Sequence, residues 1–267
     1  MEKQELDAIV MHYEGNDEET RFDTRWCWVE HYTTMQYIHR YLHSGDRVLE
    51  IGAGTGRYSI ALAQEGYDVT AVELVERNLD ALRLKITPGM RIRALQGNAL
   101  ELNMLESESY DMTLLFGPMY HLVNETDKRQ ALSEALRITK PDGILMVAYC
   151  ITDGPMINYT FRLGRYDFLT ERGMLDPETW KFHPEKGFVF EHITKADVDR
   201  LVEGFPVKRL HYVATDGLLS FLQTEMETMD DKTLKALLRY HLSVCEREDL
   251  IGATAHSLDI QRKRLED

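Results

Sequence analysis

Short apolar runs alternate with stretches of helical spacing through most of the chain. Val29, Met35, Ile38 and Leu42 fall at helix-like intervals within 26–43, and Gly45 follows as a stop signal. Val48, Leu49 and Ile51 then make a buried-strand run, closed by Gly52, Gly54 and Gly56, and a helix is expected from about Arg57. Strand signals return at 67–72 (YDVTAV), ending at Glu73, and helical spacing at 74–84. Residues 90–95 (MRIRAL) alternate like a strand before Gln96, Gly97 and Asn98, and 110–116 (YDMTLLF) form another, ending at Gly117–Pro118. Asn124 with Asp127 three residues on predicts a helix start, with the helix running to about Arg137. Lys140–Pro141–Asp142–Gly143 predicts a turn before an apolar strand over 144–150. The order βαβαβαβαβ implies an α/β fold, a parallel sheet with helices on both faces.

Residues 151–190 break this rhythm. They are rich in aromatics (Tyr159, Phe161, Tyr166, Phe168, Trp180, Phe182) without a clear period, and read as an insertion over the ligand edge of the sheet. Those aromatics either line a pocket or form a small core of their own, the commoner outcome. Thr194 with Asp197 predicts a capped helix to Val202, 207–213 a strand, and 217–250 helices with Leu234, Leu237, Leu238 and Leu242 on one face. A last strand is expected over 255–263, with Arg262–Lys263–Arg264 read as a solvated tail. The polar, acidic residues 1–25 are expected to be partly mobile, and no internal repeat is evident.

Composition narrows the function classes. The 267 residues carry 31 Lys and Arg against 45 Asp and Glu, a net charge of −14, which disfavours nucleic acid and anionic membranes as partners. With 43% hydrophobic residues the chain can bury a sizeable core. Cys27, Cys150 and Cys245 are odd in number and far apart, which fits a reducing cytoplasm better than a disulfide framework or zinc site. No apolar run suits a membrane span, and the N-terminus does not read as a signal peptide. His183, His192, His211, His241 and His256 show no metal-ligand spacing and are read as surface or structural residues, so no metal is expected.

The glycine turn carries the most chemistry. Gly52, Gly54 and Gly56 free the backbone for a tight turn and a close ligand, and the following helix aims unpaired N–H groups at it. A dinucleotide fingerprint wants GxGxxG; here the third glycine comes one place early, Arg57 stands where that pattern wants Gly or Ala, and Glu50 precedes the first glycine by two. This (D/E)xGxGxG pattern resembles motif I of the class I S-adenosylmethionine (SAM)-dependent methyltransferases. The resemblance extends to Glu73 at the end of the second strand, to Gly97–Asn98–Ala99, to Tyr110–Asp111 and to the KPDG turn, while FGPMYHL (116–122) is similar to a (L/F)GPLYHL segment of a bacterial small-molecule-type group.

The resemblance implies a Rossmann-like seven-stranded sheet, parallel except for one antiparallel strand near the C-terminus, under a helical and aromatic cap. It divides the chain into an N-terminal helical lid (1–45), a SAM-binding core (46–150), a cap insertion (151–190) and the rest of the sheet with a helical insertion (191–267, insertion 217–250). It implies a cofactor set of Glu50, Gly52, Ala53, Gly54, Gly56, Glu73, Leu74, Asn98, Ala99 and Phe116, with Glu73 on the ribose, Asn98 or Ala99 at the adenine, and Glu50 ordering the loop or meeting the amino group. Arg21 or Arg25 is a candidate partner for the methionyl carboxylate.

Trp26, Tyr120 and His121 are candidate acceptor-pocket residues. His121 is either a general base or a residue that caps the next helix or packs under the cofactor, and Tyr120 either lines the pocket or takes part in chemistry. The expected activity is in-line methyl transfer from SAM to a small-molecule acceptor, releasing S-adenosylhomocysteine. An NAD-dependent oxidoreductase and a non-catalytic SAM-binding protein are the alternatives; a cationic peptide acceptor and a homodimer stay open.

Overall fold

Five strands built from the apolar runs form the parallel part of one sheet: β1 (Arg47–Ile51), β2 (Asp68–Glu73), β3 (Ile92–Gln96), β4 (Tyr110–Leu115) and β5 (Thr139–Cys150). With β6 (Val207–Ala214) and β7 (His256–Lys263) the order is β3-β2-β1-β4-β5-β7-β6, and β7 runs antiparallel to both neighbours. This is the Rossmann-like seven-stranded α/β sheet that the sequence implies. The structure is a computed structural model that describes residues 3–15, 24–183 and 189–265.

Side chains alternate between the two faces of each strand. Val48, Met112, Leu114 and Met146 pack against Ile38 of α2 (Arg25–Tyr41) and Leu62 of α3 (Arg57–Gln64). Leu49, Ile51, Leu115 and Val147 face Leu132 of α5 (Glu125–Ile138) and Val198 of α8 (Lys195–Val202). Burial on both faces explains why these strands read as near-continuous apolar runs. Leu82 of α4 (Glu76–Leu84) closes a smaller cluster with Ala53 and Ala71. Asn124 caps α5 through Asp127, and Thr194 and Asp197 form the capping box of α8.

Four expectations change. No helix joins β3 to β4: residues 97–109 are irregular, because Leu102 and Leu105 bury into the α5 face while Arg137 donates to the Leu102 and Leu105 carbonyls. The KPDG turn lies inside β5, as an excursion between the Tyr110–Thr139 and Met112–Ile144 pairs, with Asp142 at φ 63°. Arg262 and Lys263 are not a solvated tail: Lys263 is buried in β7 and donates to the Thr139 carbonyl, and Arg262 pairs with Asp142. Within 1–25, residues 3–15 form α1 (Lys3–Gly15), which buries Ile9 instead of trailing into solvent.

Two groups of elements follow the sheet. After β5 come α6 (Asp153–Pro155), a π-helical stretch (Met156–Arg162) and α7 (Tyr166–Glu171). Met156, Leu169, Leu175 and Phe182 make a core there, with Tyr159 and Tyr166 against it, so the aromatic insertion packs on itself. After β6 come a 3₁₀ turn (Gly217–Leu222), α9 (Gln223–Thr228) and α10 (Asp231–Val244), whose Leu219, Met226 and Leu234 pack against Val29 of α2. Among the described residues no helix is long and apolar enough to cross a membrane.

Candidate functional site

The glycine turn is pinned from three sides. Gly52 and Ala53 N–H donate to the Val72 carbonyl at 2.8 and 3.0 Å. Gly52 sits at φ 86°, and a Cβ there would stand 2.1 Å from the Phe116 carbonyl oxygen and 2.6 Å from Pro118 Cδ. The turn after β1 is therefore pressed onto the turn after β4, a contact only glycine permits. Gly54, at φ 54°, has open space where a Cβ would be.

Two buried carboxylates hold this turn. Glu50 accepts from Ser59 N–H at 2.9 Å and from the Ser59 hydroxyl, which ties β1 to the first turn of α3. Its burial pushes the carboxyl up to about 8, against the pull of the Ser59 bonds, and the charge of Glu73 adds to the rise. Glu73, at the end of β2, accepts from Gly54 N–H at 2.8 Å and from Val75 N–H at 2.9 Å, one on each oxygen. Burial raises its carboxyl too, against those bonds.

Two cavities open at the C-terminal edge of the parallel strands, on either side of this turn. The first, about 710 Å³, is walled mostly by apolar groups (Ile9, Ile51, Leu74, Val75, Ala99, Leu122), with Glu73, Asn78 and Asn98 as polar points. The second, about 610 Å³, is more polar, with Glu30, Thr34, Thr55, Arg57, Thr215 and Ser257 on its walls. Gly52, Gly54 and Tyr120 line both.

Most of the residues expected from sequence meet here. Gly52, Gly54, Glu73, Leu74, Asn98 and Ala99 line the first cavity, and Glu50, Ala53 and Phe116 the second. Asn98 Oδ1 also accepts from Leu100 N–H, so it shapes its own turn. Gly56 lines neither; it caps α3 in left-handed conformation, with Leu82 filling the space beside it. Three expectations fall elsewhere. Arg21 lies outside the described residues. Arg25 ties α2 to the far helices, through the Met229 carbonyl and Asp231. Trp26 lines neither cavity; it packs against the Val29–Leu219–Met226 cluster, because that apolar cluster covers its face of α2.

His121 lines the first cavity only. Its Nδ1 is 3.0 Å from the Val189 carbonyl, its Nε2 2.8 Å from the Tyr13 hydroxyl. A carbonyl only accepts, so in the neutral ring Nδ1 carries the proton and Nε2 accepts from Tyr13. His121 thus fastens α1 over the first cavity, and its basic lone pair is already engaged. Sequence reasoning missed Tyr13, Asn78, Arg57 and Glu30. Glu30 and Thr34 had one available signal: four residues apart on a helix, they share a face.

Comparison with known proteins adds to this geometry. Residues 48–143 match a methyltransferase domain family. The matched residues hold the glycine turn, Glu73, Asn98 and His121, while Glu30, Thr215 and Ser257 lie outside them. A demethylmenaquinone methyltransferase of Clavibacter sepedonicus is 33% identical over 105 residues, 39% of this chain and 41% of that protein. A glycine/sarcosine N-methyltransferase of Aphanothece halophytica is 31% identical over 107 residues, 39% of this chain and 40% of that protein. The chain thus spans less than half the length of these relatives, and their two names give unlike acceptors. A SAM-dependent methyltransferase from Methanosarcina mazei has the same fold, with a TM-score of 0.57 at 18% identity over 86% of this chain and 98% of that one.

Proposed function

We propose that the chain is a SAM-dependent methyltransferase acting on a small molecule. The observation that carries this reading is the pair of unlike cavities joined over Gly52 and Gly54, one apolar with a buried carboxylate, the other polar with a guanidinium. A nucleoside and an amino-acid end joined at one sulfur need this division.

The residues fit the cofactor. Glu73 accepts from the Gly54 and Val75 N–H groups, with the Asn78 side chain and Leu74 N–H also donating to it, and its carboxylate lines the first cavity, where the ribose hydroxyls would meet it. Leu74, Val75, Ala99 and Leu122 offer flat apolar surface for the base, with Asn98 at its edge. The open space at Gly54 suits close ligand approach. Arg57, on the second cavity, suits the carboxylate that the sequence reading gave to Arg21 or Arg25.

When bound, SAM supplies a methyl group activated by its sulfonium. What remains for the protein is alignment and exclusion of water, effects that contribute roughly 7–11 kcal/mol at most. Tyr120, on the wall of both cavities, stands where the two reactants meet. With Nε2 engaged by Tyr13, His121 acts as a base only after α1 releases it; its place here is to hold that helix. Acidic overall charge supports a small acceptor over nucleic acid.

Calorimetric titration with S-adenosylhomocysteine tests the reading. Glu73→Ala should weaken binding by at least about tenfold, one lost charge-assisted contact of ~1.4 kcal/mol or more, and Glu73→Gln by less. Unchanged affinity in Glu73→Ala would show the ribose assignment to be wrong.

A further inference from the structure

A second charged constellation lies at the far end of the polar cavity. Glu30 comes from α2, Asp216 follows β6, and His256 opens β7. His256 Nδ1 is 2.9 Å from Asp216 Oδ2 and 3.7 Å from Glu30 Oε2. Asp216 is almost fully buried and also accepts from the Thr254 hydroxyl and from Ala255 N–H at 2.9 Å. Glu30, Thr215 and Ser257 line the cavity, so the constellation borders it directly.

We propose that this end of the cavity is the acceptor subsite and that it takes an amine, with Glu30 meeting the nitrogen and the His256–Asp216 pair positioning Glu30. The inference rests on the methyltransferase reading above. Position sets the His256–Asp216 pair apart from the cofactor groups, while Glu30 shares the cavity wall with the glycine turn. Strand β7 is the third from β1, so at about 4.8 Å per strand His256 lies roughly 14 Å from the glycine turn. The charge count also selects the acceptor. Within this constellation two carboxylates and one imidazolium leave one negative charge, and with Arg57 on the same cavity taken by the cofactor carboxylate that charge attracts an ammonium and repels a carboxylate or phosphate.

The imidazole is held in its charged form. Burial opposes this, but the charge of Glu30 and the hydrogen bond to Asp216 outweigh it, and the His256 pKa stands well above its usual 6.5. The nearby His192 is pushed down to about 3, by desolvation first and then by the charge of His256.

The transfer balances on these groups. The bound ammonium gives one proton to the Glu30 carboxylate. The freed nitrogen lone pair forms the N–C bond as the methyl C–S bond breaks, its electron pair staying on sulfur. The methylated ammonium carries away the positive charge that the sulfonium held, and the proton on Glu30 passes to water.

n-Butylamine and n-butyrate, matched in length and opposite in charge, test this by calorimetry on protein saturated with S-adenosylhomocysteine. Butylamine should bind at least about tenfold tighter than butyrate in the parent. Glu30→Gln should bring the two within about threefold, and Glu30→Asp should keep part of the preference. Asp216→Asn should weaken the preference and Asp216→Glu restore some of it, with S-adenosylhomocysteine affinity reporting that each variant is folded. Three results overturn the proposal: no measurable amine binding, a preference that survives Glu30→Gln, or an S-adenosylhomocysteine affinity at least about tenfold lower in Glu30→Gln, which would put Glu30 on the cofactor's own ammonium. If the parent itself binds no S-adenosylhomocysteine, the methyltransferase reading fails, and the amine preference, measured without it, still reads the subsite on its own.

Discussion

Glu50 shows how one buried carboxyl can serve structure and carry a pH signature. It is 2% exposed and spans from β1 to the Ser59 backbone and hydroxyl. In the unfolded chain this carboxyl releases its proton near 4.5, and in the fold near 8. Between those values the folded state binds more protons, so stability is lost as pH rises through the window. Glu50→Gln cannot ionise. Its melting temperature relative to the parent should therefore move in its favour from pH 6 to pH 9, by the equivalent of about 2–3 kcal/mol at ~1.4 kcal/mol per pH unit. A difference that stays flat across that range would mean that Glu50 ionises in the fold as it does in the open chain.

At the scale of elements, the segment after β3 carries the most consequence. Residues 97–109 have no ladder of their own, yet they present Asn98 and Ala99 to the first cavity. Arg137 holds them, donating to the Leu102 and Leu105 carbonyls and the Ser107 hydroxyl while Glu134 fixes its guanidinium. Arg137→Ala removes the Arg137 donor to the Leu105 carbonyl and one of two donors to the Leu102 carbonyl, at about 1–3 kcal/mol. Hydrogen exchange should then accelerate across 98–109 while β1 and β4 stay protected; uniform acceleration would instead mean that the segment unfolds only with the whole domain.

This segment also marks where the sequence stops being legible. The strands, α2 to α5 and the capped α8 could be read because each has a local period or cap. Leu100, Leu102 and Leu105 have none; their burial is set by the α5 face they meet. The KPDG excursion and the buried Lys263 were misjudged for the same reason, since strand pairing across the sheet overrides a local turn or charge signal. Within the site, the glycines, Glu50, Glu73 and Asn98 lie at fixed offsets from strand ends and were visible. Glu30, Asp216 and His256 come from three distant elements that only the order β5-β7-β6 and the seat of α2 bring together.

For the molecule as a whole, the proposed ligand of the turn between the two cavities is SAM rather than a dinucleotide. Three elements line one cavity: α1 through Tyr13 and Ile9, β1 and its turn through Ile51, Gly52 and Gly54, and the turn after β4 through Tyr120. A ligand seated there binds only the folded chain and must raise its stability, by about 2.7 kcal/mol at one hundred times its dissociation constant. For a chain of this size that is a rise in melting temperature of roughly 5–10 °C. A thermal melt of the parent with S-adenosylhomocysteine and, separately, with NADH is the most direct test. A rise of that order with S-adenosylhomocysteine and none with NADH is expected; stabilisation by NADH with no response to S-adenosylhomocysteine would rule out SAM as the ligand of this turn.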